Sequence, residues 1–330
     1  MGKKIKWGIL GTAHIATEHV IPAMLSCQYG EVYAIASRST EKAQNIAEQF
    51  GIPECYGSYE ELLVDKEVDA IYIPLPNHLH VQWAIKALEA DKHVLVEKPV
   101  GLSSKEAERL LQETKKYPHL KVMEAFMYRH HPQWIKVKEL VDQKAIGDIK
   151  TIQSSFSFFE DDPNSIVNSK EFGGGSLMDI GCYPISLSRL LFNSEPKSIS
   201  SVIEYHPDFK VDVSASGILE FETGTSVFFS STQLADNQQA QIFGTKGNIK
   251  FELPFNPPID RSSKIWVTVG DDCQTIEFET CNQYTIQADL FALAIRNNTP
   301  VPTPLEDSVK NMIVIEKLEE SNLKGQRIPM

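Results

Sequence analysis

The first hundred residues alternate between short apolar runs and segments with helical periodicity, and this alternation constrains the fold more than any other feature. The apolar runs, each typical of a buried strand, are residues 5–10, 31–37, 68–76 and 93–99. Strands that alternate with helices of this length predict βαβ units and a parallel sheet. Ser58 stands three residues before Glu61, and Ser39 precedes an acidic first turn, so both segments carry helix-start signals. We therefore expect residues 1–123 to form a doubly wound α/β domain.

A glycine-containing turn follows the first predicted strand. It reads Gly8-x-x-Gly11-Thr12-Ala13-x-x-Ala16, a form of the dinucleotide fingerprint with alanines at its second and third glycine positions. Ligands of doubly wound sheets bind outside the carboxyl ends of the strands. Because this turn joins a strand to a helix, its context favours dinucleotide binding, with a plain βα turn as the alternative.

The end of the second predicted strand indicates which dinucleotide binds. NAD enzymes place an Asp or Glu there to bind the ribose 2′-hydroxyl, whereas this chain has Ser37, Arg38 and Ser39. A guanidinium flanked by two hydroxyls suits a 2′-phosphate, and no carboxylate is present to repel that phosphate. We therefore predict NADP(H) as the preferred cofactor, with NAD(H) also allowed. A solvated surface arginine is the alternative interpretation of Arg38.

Polar loops also follow the later predicted strands. Residues 74–80 read PLPNHLH, and residues 97–99 read EKP. Asn77 can hydrogen-bond the cofactor, whereas His78 and His80 have no recognisable third ligand, so we predict no metal site. The cofactor-binding candidates of this half are Gly11, Thr12, Ala13, His14, Ile15, Ser37, Arg38, Ser39, Lys42, Pro74, Leu75, Asn77, His80, Glu97 and Lys98.

Beyond about residue 123 the pattern changes to β-rich segments separated by turns. These segments predict a second, α+β domain over residues 124–330 with an open, mainly antiparallel sheet. We expect helices on one face, and on the other an aromatic surface that pairs with a second subunit. Residues 303–306 read TPLE, a capping box with proline at the first helical position. This box starts a last helix, 304–322, which we expect to pack back toward the first domain.

The stretch GGGSLMDIGCYP, residues 173–184, carries the clearest chemistry of the second half. Its glycines allow the backbone to approach a ligand closely before a helix begins. Asp179 and Tyr183 are four residues apart and share one face of that helix. An ordinary hydrogen bond on a helix surface is the alternative interpretation of this pair. We interpret Cys182 as a small packing residue and not as a nucleophile.

Composition excludes several classes of function. The net charge is −12, with acidic residues along the whole length, which argues against nucleic acid or an anionic membrane as the main partner. The five cysteines are odd in number and contain no CxxC pair, so we expect reduced thiols and neither a disulfide framework nor a zinc site. No apolar run approaches the ~18 residues of a membrane span. Cytoplasmic residence is the expectation.

These features together resemble the glucose–fructose oxidoreductase/inositol dehydrogenase (Gfo/Idh/MocA) family over nearly the whole chain. The matching stretches are the N-terminal fingerprint, EKP, EAFMYRHHP, GGGSLMDIGCYP, FGTKGNIKFELPF and the final capped helix. Tyr183, where inositol dehydrogenases carry histidine, and Arg38 are similar to the branch of dimeric dihydrodiol dehydrogenases and NADP-dependent xylose dehydrogenases. The resemblance implies a Rossmann domain, an open-faced domain that dimerises through its sheet, and a cis Lys98–Pro99 bond. Ala13 departs from the glycine of many relatives, which is harmless if its φ is negative.

By the same resemblance, Lys98, Tyr183 and Asp179 are the catalytic candidates, because in the family the lysine and the tyrosine flank the reacting carbinol. Removing a hydride from C–OH requires an acceptor for the hydroxyl proton, and a phenol can be that base. Its ordinary pKa is about 10, so Lys98 and the oxidised nicotinamide must lower that pKa by favouring phenolate. Lys98 can also polarise the substrate oxygen, and which of the two residues moves the proton stays open. Asp179 would bind a second hydroxyl.

A further group of residues is expected to surround the substrate. The substrate-binding candidates are Lys98, Glu124, Phe126, Arg129, Phe159, Asp179, Tyr183 and Gln287. Core packing is the alternative for the two phenylalanines, and a structural ion pair is the alternative for Arg129. We predict an NADP-dependent oxidoreductase acting on a secondary alcohol or hemiacetal carbon of a sugar or a trans-dihydrodiol. The alternatives are a non-catalytic NADP-binding sensor and an enzyme whose tightly bound cofactor couples two sugar substrates.

Overall fold

The computed structural model describes residues 3–330, which form two compact units. Unit 1 contains the chain up to Met127 and the segment Asn282–Val309, and unit 2 contains Tyr128–Cys281 and Lys310–Met330. The sequence analysis placed everything from residue 124 onward in the second domain. In the structure, residues 124–127 and 282–309 instead belong to the first unit.

A six-stranded parallel sheet forms the centre of unit 1. Its strands are β1 (Ile5–Leu10), β2 (Gly30–Ala36), β3 (Glu54–Tyr56), β4 (Ala70–Ile73), β5 (His93–Val96) and β6 (Val122–Glu124). The strand order is β3-β2-β1-β4-β5-β6, and each neighbouring pair is parallel. The predicted doubly wound sheet is therefore confirmed. The chain reverses direction across the sheet between β1 and β4, and ligands of such sheets bind outside the carboxyl ends at this point.

Helices connect the strands of unit 1. A π-helical turn (Ala16–Val20) leads into α1 (Ile21–Met24), and the other helices are α2 (Thr40–Phe50), α3 (Tyr59–Leu63), α4 (Asn77–Glu89) and α5 (Ser104–Thr114). The side chains of Ser39 and Ser58 accept hydrogen bonds from the backbone N–H groups of Lys42 and Glu61, as the cap signals predicted. Each cap satisfies a donor that the start of a helix leaves unpaired.

Helix α8 (Gln283–Arg296) completes the core of unit 1. Its Ala288 and Phe291 are buried in the same cluster as Trp7 of β1, and the Trp7 and Phe291 ring centroids are 5.6 Å apart. Asp289 accepts hydrogen bonds from two successive backbone N–H groups between β1 and β2, at 3.1 and 2.8 Å. Periodicity reveals the apolar face of a helix but not the sheet which that face covers. This is why the sequence alone assigned α8 to the other half.

Unit 2 is built on a nine-stranded sheet. Its strands are β7 (Ile149–Phe159), β8 (Ser198–Tyr205), β9 (Asp212–Glu220), β10 (Thr225–Ser231), β11 (Gln233–Gly244), β12 (Gly247–Phe251), β13 (Ser263–Val269), β14 (Asp272–Phe278) and β15 (Ile328–Pro329). The order is β14-β13-β12-β11-β7-β10-β9-β8-β15. The β7–β10 pair is parallel and the other neighbouring pairs are antiparallel, which confirms the prediction of a mainly antiparallel sheet.

The remaining α-helices are α6 (Pro132–Asp142), α7 (Cys182–Phe192) and α9 (Leu305–Lys324). A π-helical turn, Leu177–Gly181, passes directly into α7. Helix α9 begins one residue after the predicted start at 304 and ends two residues after the predicted end at 322. Among residues 3–330 we find no helix that combines the length and the apolar character needed to cross a membrane.

One face of the unit 2 sheet is covered and the other is exposed. On β10, Ser226, Phe228 and Ser230 are buried, whereas Val227 and Phe229 are 41% and 36% exposed. This alternation follows the period of two of a strand with one covered face. The exposed side chains line a shallow groove of about 540 Å³ on the open face of the sheet.

Candidate active site

The turn after β1 has the conformation that the dinucleotide fingerprint requires. Gly11 has a φ of +107°, where L side chains are strained, and a Cβ there would lie 3.0 Å from Cδ2 of Leu75. Its N–H donates to the Ala36 carbonyl at 2.8 Å, which holds the turn beside the end of β2. Ala13 is not among the non-glycine residues with positive φ, so its methyl group is accepted as expected.

The residues after this turn remain partly accessible. Thr12 and Ile15 are half-buried and His14 is exposed, at the entrance to the π-helical turn of unit 1. The ring centroids of His14 and His19 are 6.5 Å apart, and His19 stacks on Tyr284 at 5.8 Å. The predicted cofactor-binding stretch therefore lies on the surface of unit 1.

The two serines that flank Arg38 serve the backbone. Ser37 is buried, and its Oγ accepts from the Ser39 N–H at 3.3 Å. Ser39 Oγ in turn caps α2 by accepting from the Lys42 N–H at 3.3 Å. Arg38 and Lys42 are exposed. The guanidinium is thus the accessible group at the end of β2, and the two hydroxyls, predicted to flank a phosphate, already accept hydrogen bonds within the protein.

Tyr59 is close to both Arg38 and the Gly11 turn. Its Oη lies 3.6 Å from the position that a Cβ of Gly11 would occupy. Burial raises the pKa of Tyr59, and the Arg38 guanidinium acts against this rise. The Tyr59 ring packs edge-on against Trp83 at 4.8 Å. The charge of the arginine that we predicted to bind phosphate therefore acts on a buried tyrosine of α3.

His80 joins the loops that follow β4 and β5. Its two ring nitrogens lie 2.7 Å from the Pro99 carbonyl oxygen and 2.6 Å from the Leu75 carbonyl oxygen. Burial lowers the pKa of His80 to about 4, although the two carbonyls oppose this effect. The Lys98–Pro99 bond is cis, as predicted. The direct cofactor contact predicted for His80 gives way to a positioning role, because its ring is buried between two backbone segments.

Two buried carboxylates fix the backbone around Lys98. Tyr72 Oη donates to Glu97 Oε1 at 2.7 Å, and Glu97 Oε2 accepts from the Lys98 N–H at 3.3 Å. Glu124 Oε1 accepts from the Val100 N–H at 2.7 Å. Glu124 was predicted to bind substrate. In the structure it is 1% exposed and its carboxylate binds a backbone N–H group of the protein. Lys98 itself remains half-buried.

Helix α8 carries Tyr284, whose pKa is affected by the charge of Lys98. Burial raises the pKa of Tyr284, Glu97 raises it further, and Lys98 lowers it. Gln287, three residues later on the same helix, is buried. Phe126 is fully buried, which favours its core interpretation over the pocket interpretation.

Asp179 and Tyr183 lie where a π-helical turn passes into an α-helix. Asp179 belongs to the turn Leu177–Gly181, and Tyr183 is the second residue of α7. The sequence predicted a regular helix in which the two share a face. A π-turn is wider than an α-helical turn, but residues four apart still lie on the same side of it, and such turns are frequent at functional sites. Asp179 is half-buried and Tyr183 is 4% exposed.

Three aromatic rings surround Tyr183. Its ring centroid lies 5.7, 5.5 and 5.4 Å from those of Tyr128, Phe156 and Phe255. Phe159 was the predicted contact, but it is 59% exposed. Side chains alternate along a strand, so Phe159 and Phe156, three residues apart on β7, face opposite sides of the sheet. Phe156 rather than Phe159 therefore packs against Tyr183, and the substrate contact of Phe159 stays a prediction.

Arg129 contacts α7 one turn beyond the site tyrosine. Its Nε and Nη2 donate to the Ser186 Oγ at 3.0 and 2.7 Å, and the Tyr128 hydroxyl lies 2.7 Å from the same oxygen. Arg129 was predicted to bind substrate. In the structure its guanidinium belongs to a hydrogen-bond network that holds the helix, and the substrate contact stays a prediction.

Serine pairs fasten the same helix to the sheet beneath it. Ser176 Oγ donates to Ser230 Oγ at 2.7 Å, and Ser188 Oγ donates to Ser226 Oγ at 2.6 Å. From α9, Asn311 Nδ2 donates to a carbonyl in the first turn of α7 at 3.2 Å. The helix that presents Tyr183 is thus fixed at both ends.

The backbone of the glycine triplet before this helix packs closely against other segments of the same chain. A Cβ on Gly174 would lie 2.2 Å from the Val167 carbonyl oxygen. A Cβ on Gly175, whose φ is +112°, would lie 2.0 Å from Asp212 Oδ1. The sequence analysis assigned these glycines to close approach of a ligand, and for Gly174 and Gly175 that assignment is corrected.

Both units match profiles of one protein family. A family of oxidoreductases with an NAD-binding Rossmann fold matches residues 5–126, and the GFO/IDH/MocA C-terminal domain matches residues 134–250. The chain belongs to the GFO/IDH/MocA oxidoreductase family. The predicted family is therefore confirmed.

Several members of the GFO/IDH/MocA family are similar over the full length. An uncharacterized oxidoreductase of Rhizobium meliloti is 42% identical over 97% of this chain and 98% of its own length. The D-xylose 1-dehydrogenase (NADP(+)) 2 of Haloferax volcanii is 35% identical over 98% of this chain and 99% of its own. Among solved structures, a 3-ketoreductase from Actinomadura kijaniata in complex with NADP and TDP-benzene has a TM-score of 0.89 at 30% identity and covers 97% of this chain and 98% of its own.

Unit 1 has the features by which this family holds a nicotinamide dinucleotide. Gly11 leaves its turn free of a side chain, and residues 74–77 follow β4 at the point where the strand order reverses. Pro74 and Leu75 are buried there, and Asn77 opens α4. The residues present therefore fit the cofactor that the family implies.

Sequence reasoning missed Tyr59 and Tyr284 among the candidate residues of unit 1, and Phe156 beside Tyr183 in unit 2. Tyr59 follows a helix cap, Phe156 lies within an apolar strand, and Tyr284 comes from a distant helix that joins unit 1. Counting in twos from Gln153, which faces the open side, would have placed Phe156 on the covered face. No local signal identifies Tyr59 or Tyr284, because their roles arise from tertiary contacts.

Proposed function

We propose that this chain is an NADP-dependent oxidoreductase that moves a hydride between nicotinamide and a secondary alcohol or hemiacetal carbon of a sugar or a trans-dihydrodiol. Its family supports the reaction class. The Haloferax relative supports a sugar substrate with NADP, and the Actinomadura structure supports NADP.

The observation that carries the proposal is the accessible Arg38 at the end of β2, whose charge acts on the buried Tyr59. A guanidinium there can make charge-assisted hydrogen bonds to a 2′-phosphate. NAD enzymes use a carboxylate at this place to bind the 2′-hydroxyl, and this chain has none among residues 37–39.

The proposed catalytic residues are Lys98, Tyr183 and Asp179. When bound, the nicotinamide accepts or supplies the hydride. In the oxidation direction, the Tyr183 phenolate, which the Lys98 ammonium favours over the phenol, accepts the hydroxyl proton of the substrate and becomes the neutral phenol as the hydride leaves the same carbon. Asp179 accepts a hydrogen bond from a second substrate hydroxyl, which orients the carbon that reacts. The aromatic rings around Tyr183 support this role, because they exclude water from its ring.

The substrate class is tested by a panel of pentoses, hexoses, ketosugars and dihydrodiols with NADP(H) or NAD(H), followed by absorbance at 340 nm. Lys98→Met and Tyr183→Phe are expected to abolish turnover. Tyr183→Phe should leave NADP affinity unchanged, since the proposal gives that residue no contact with the 2′-phosphate. Turnover at the wild-type rate in either variant would contradict these roles.

Cofactor choice is tested separately by Arg38→Ala, with the exposed Arg109→Ala as the matched control. Losing a charge-assisted hydrogen bond costs about 1.5–3 kcal/mol. We therefore expect the KM for NADP to rise about 10- to 100-fold while the KM for NAD changes little. Equal responses of the two cofactors would refute the NADP assignment.

We further propose a homodimer that forms through the open face of the unit 2 sheet, and residence in the cytoplasm. Val202 and Ile218 are 74% and 48% exposed there, beside the exposed residues of β10. Burial of such apolar side chains between two copies is favourable. All five cysteines are free, as in proteins of a reducing compartment. Phe229→Glu should convert the dimer into monomer in light scattering, and an unchanged mass would count against this interface.

A further inference from the structure

A carboxylate from β9 contacts the first turn of the helix that carries Asp179 and Tyr183. Asp212 Oδ2 accepts from the Leu177 N–H at 2.7 Å. This N–H group belongs to the start of a helix, where donors lack partners within the helix. Asp212 is 6% exposed and comes from 35 residues further along the chain than Leu177. It therefore caps the helix from a neighbouring strand.

The backbone beside this contact leaves room for nothing larger than hydrogen. A Cβ on Gly175 would lie 2.0 Å from Asp212 Oδ1 and 3.0 Å from Asp212 Cγ. The left-handed φ of Gly175 comes two residues before the Leu177 N–H that donates to this carboxylate. Gly175 and Asp212 thus form one structural element with the helix start.

We propose that Asp212 is a positioning residue for this enzyme: its ionised side chain holds the first turn of the site helix in the geometry in which Tyr183 and Asp179 act. The inference rests on the proposed function of those two residues. It extends that function by naming a residue outside the site whose ionisation assembles it.

The charges around Asp212 allow its ionisation to change at mildly acidic pH. Burial raises the pKa of Asp212 to about 6, the Leu177 N–H lowers it, and Glu319 of α9 raises it. Tyr205 is the partner of Asp212 in the β8–β9 pair, and the charge of Asp212 contributes to the raised pKa of Tyr205. Lys170 faces Glu319 and lowers the pKa of that residue, whose own pKa is raised by burial and by Glu316.

Protonation weakens the contact because hydrogen bonds to a charged acceptor are about twice as strong as those to a neutral one. The first turn of the helix is therefore ordered above about pH 6 and loosened below it. Since Tyr183 lies one turn further along the same helix, loosening this turn also displaces the phenol.

The test measures hydrogen–deuterium exchange of residues 176–180 in the full chain, corrected for intrinsic exchange, between about pH 5 and 8. We expect wild-type protection to fall about tenfold or more as Asp212 is protonated, and Asp212→Asn to show the low value at every pH. In parallel, Asp212→Asn should lower kcat about 10- to 100-fold with the KM for NADP within about twofold, because the cofactor residues belong to unit 1. Asp208→Asn is the matched control. Asp208 is exposed and lies in the connection between β8 and β9, just before Asp212, and this variant should resemble wild type.

Glu319→Gln separates a positioning role from a purely structural one. Removing this charge lowers the pKa of Asp212, so the midpoint of protection should move to lower pH while kcat at neutral pH stays unchanged. An unmoved midpoint, or normal protection and kcat in Asp212→Asn, overturns the proposal. If Asp212→Asn does not fold, the Glu319→Gln midpoint decides alone. If the wild-type protein turns over no sugar or dihydrodiol, the proposed function fails, and the exchange results still judge the contact.

Discussion

Replacing Asp212 by asparagine should change how the stability of the protein depends on pH, by an amount that the structure specifies. Burial raises the pKa of this carboxyl group from 3.8 to about 6. One pKa unit corresponds to about 1.4 kcal/mol, so ionising Asp212 in the folded protein costs about 3 kcal/mol relative to the unfolded chain. Asparagine carries no titrating proton, and the variant lacks this dependence.

The sign follows from proton linkage. The folded state binds the Asp212 proton more tightly than the unfolded state does, so stability from this group is complete below about pH 4 and is lost as pH rises through about 6. Between about pH 4.5 and 7.5 the wild-type protein should lose about 2 kcal/mol through this residue. The free energy of unfolding of Asp212→Asn, measured relative to wild type, should therefore increase by about 2 kcal/mol over the same interval.

Thermal unfolding of both proteins at several pH values provides the measurement. For a unit of this size, 1 kcal/mol corresponds to about 2–4 °C in Tm. The Tm of Asp212→Asn minus that of wild type should thus rise by about 4–8 °C from pH ~4.5 to ~7.5. The exposed Asp208→Asn should show a constant difference. A constant or falling difference for Asp212→Asn would refute the idea that this carboxylate is ionised in a buried site at neutral pH.

Three further substitutions probe the contacts around the site. Gly175→Ala places a methyl group 2.0 Å from Asp212 Oδ1 at a positive φ, so we expect it to destabilise the protein by at least about 2 kcal/mol in thermal or denaturant unfolding. Tyr59→Phe removes the phenol oxygen on which the exposed Arg38 acts, so steady-state kinetics should show the KM for NADP raised about 3- to 10-fold and that for NAD nearly unchanged. His80→Leu leaves the carbonyls of Leu75 and Pro99 without their ring partner, so calorimetry should show a loss of stability of about 1–3 kcal/mol. Steady-state kinetics should show that kcat falls more than NADP binding weakens.

The sequence was sufficient to predict the parallel sheet of unit 1 and the helices between its strands, though not α8, because those signals are local. Strand and helix periods alternate there, and the caps at Ser39 and Ser58 form between residues three apart. The ends of parallel strands meet at one edge of a sheet, so the order of the strands along the chain was enough to assign Gly11, Arg38 and Lys98 to one site. The assignment failed for His80, whose polar ring is buried between two loops.

Unit 2 was harder to predict because its contacts join distant segments. The place of Asp212 under the helix start depends on a strand that begins 35 residues after Leu177. The glycine triplet was read as a ligand-binding feature because sequence shows that a backbone can be approached closely, but not what approaches it. Phe159 was chosen over Phe156 although strand alternation separates the two faces.

Three features of unit 2 meet at the start of one helix. Gly175 has a left-handed φ, a π-turn follows it, and Asp212 is buried as a carboxylate whose ionisation costs stability near neutral pH. A helix needs none of these to pack on a sheet, since a serine or asparagine cap would satisfy the same donors without burying a charge. A buried charge persists where it serves a site rather than the fold. Because Asp179 and Tyr183 lie within and directly beyond this turn, these features are best explained as what holds those two side chains in position.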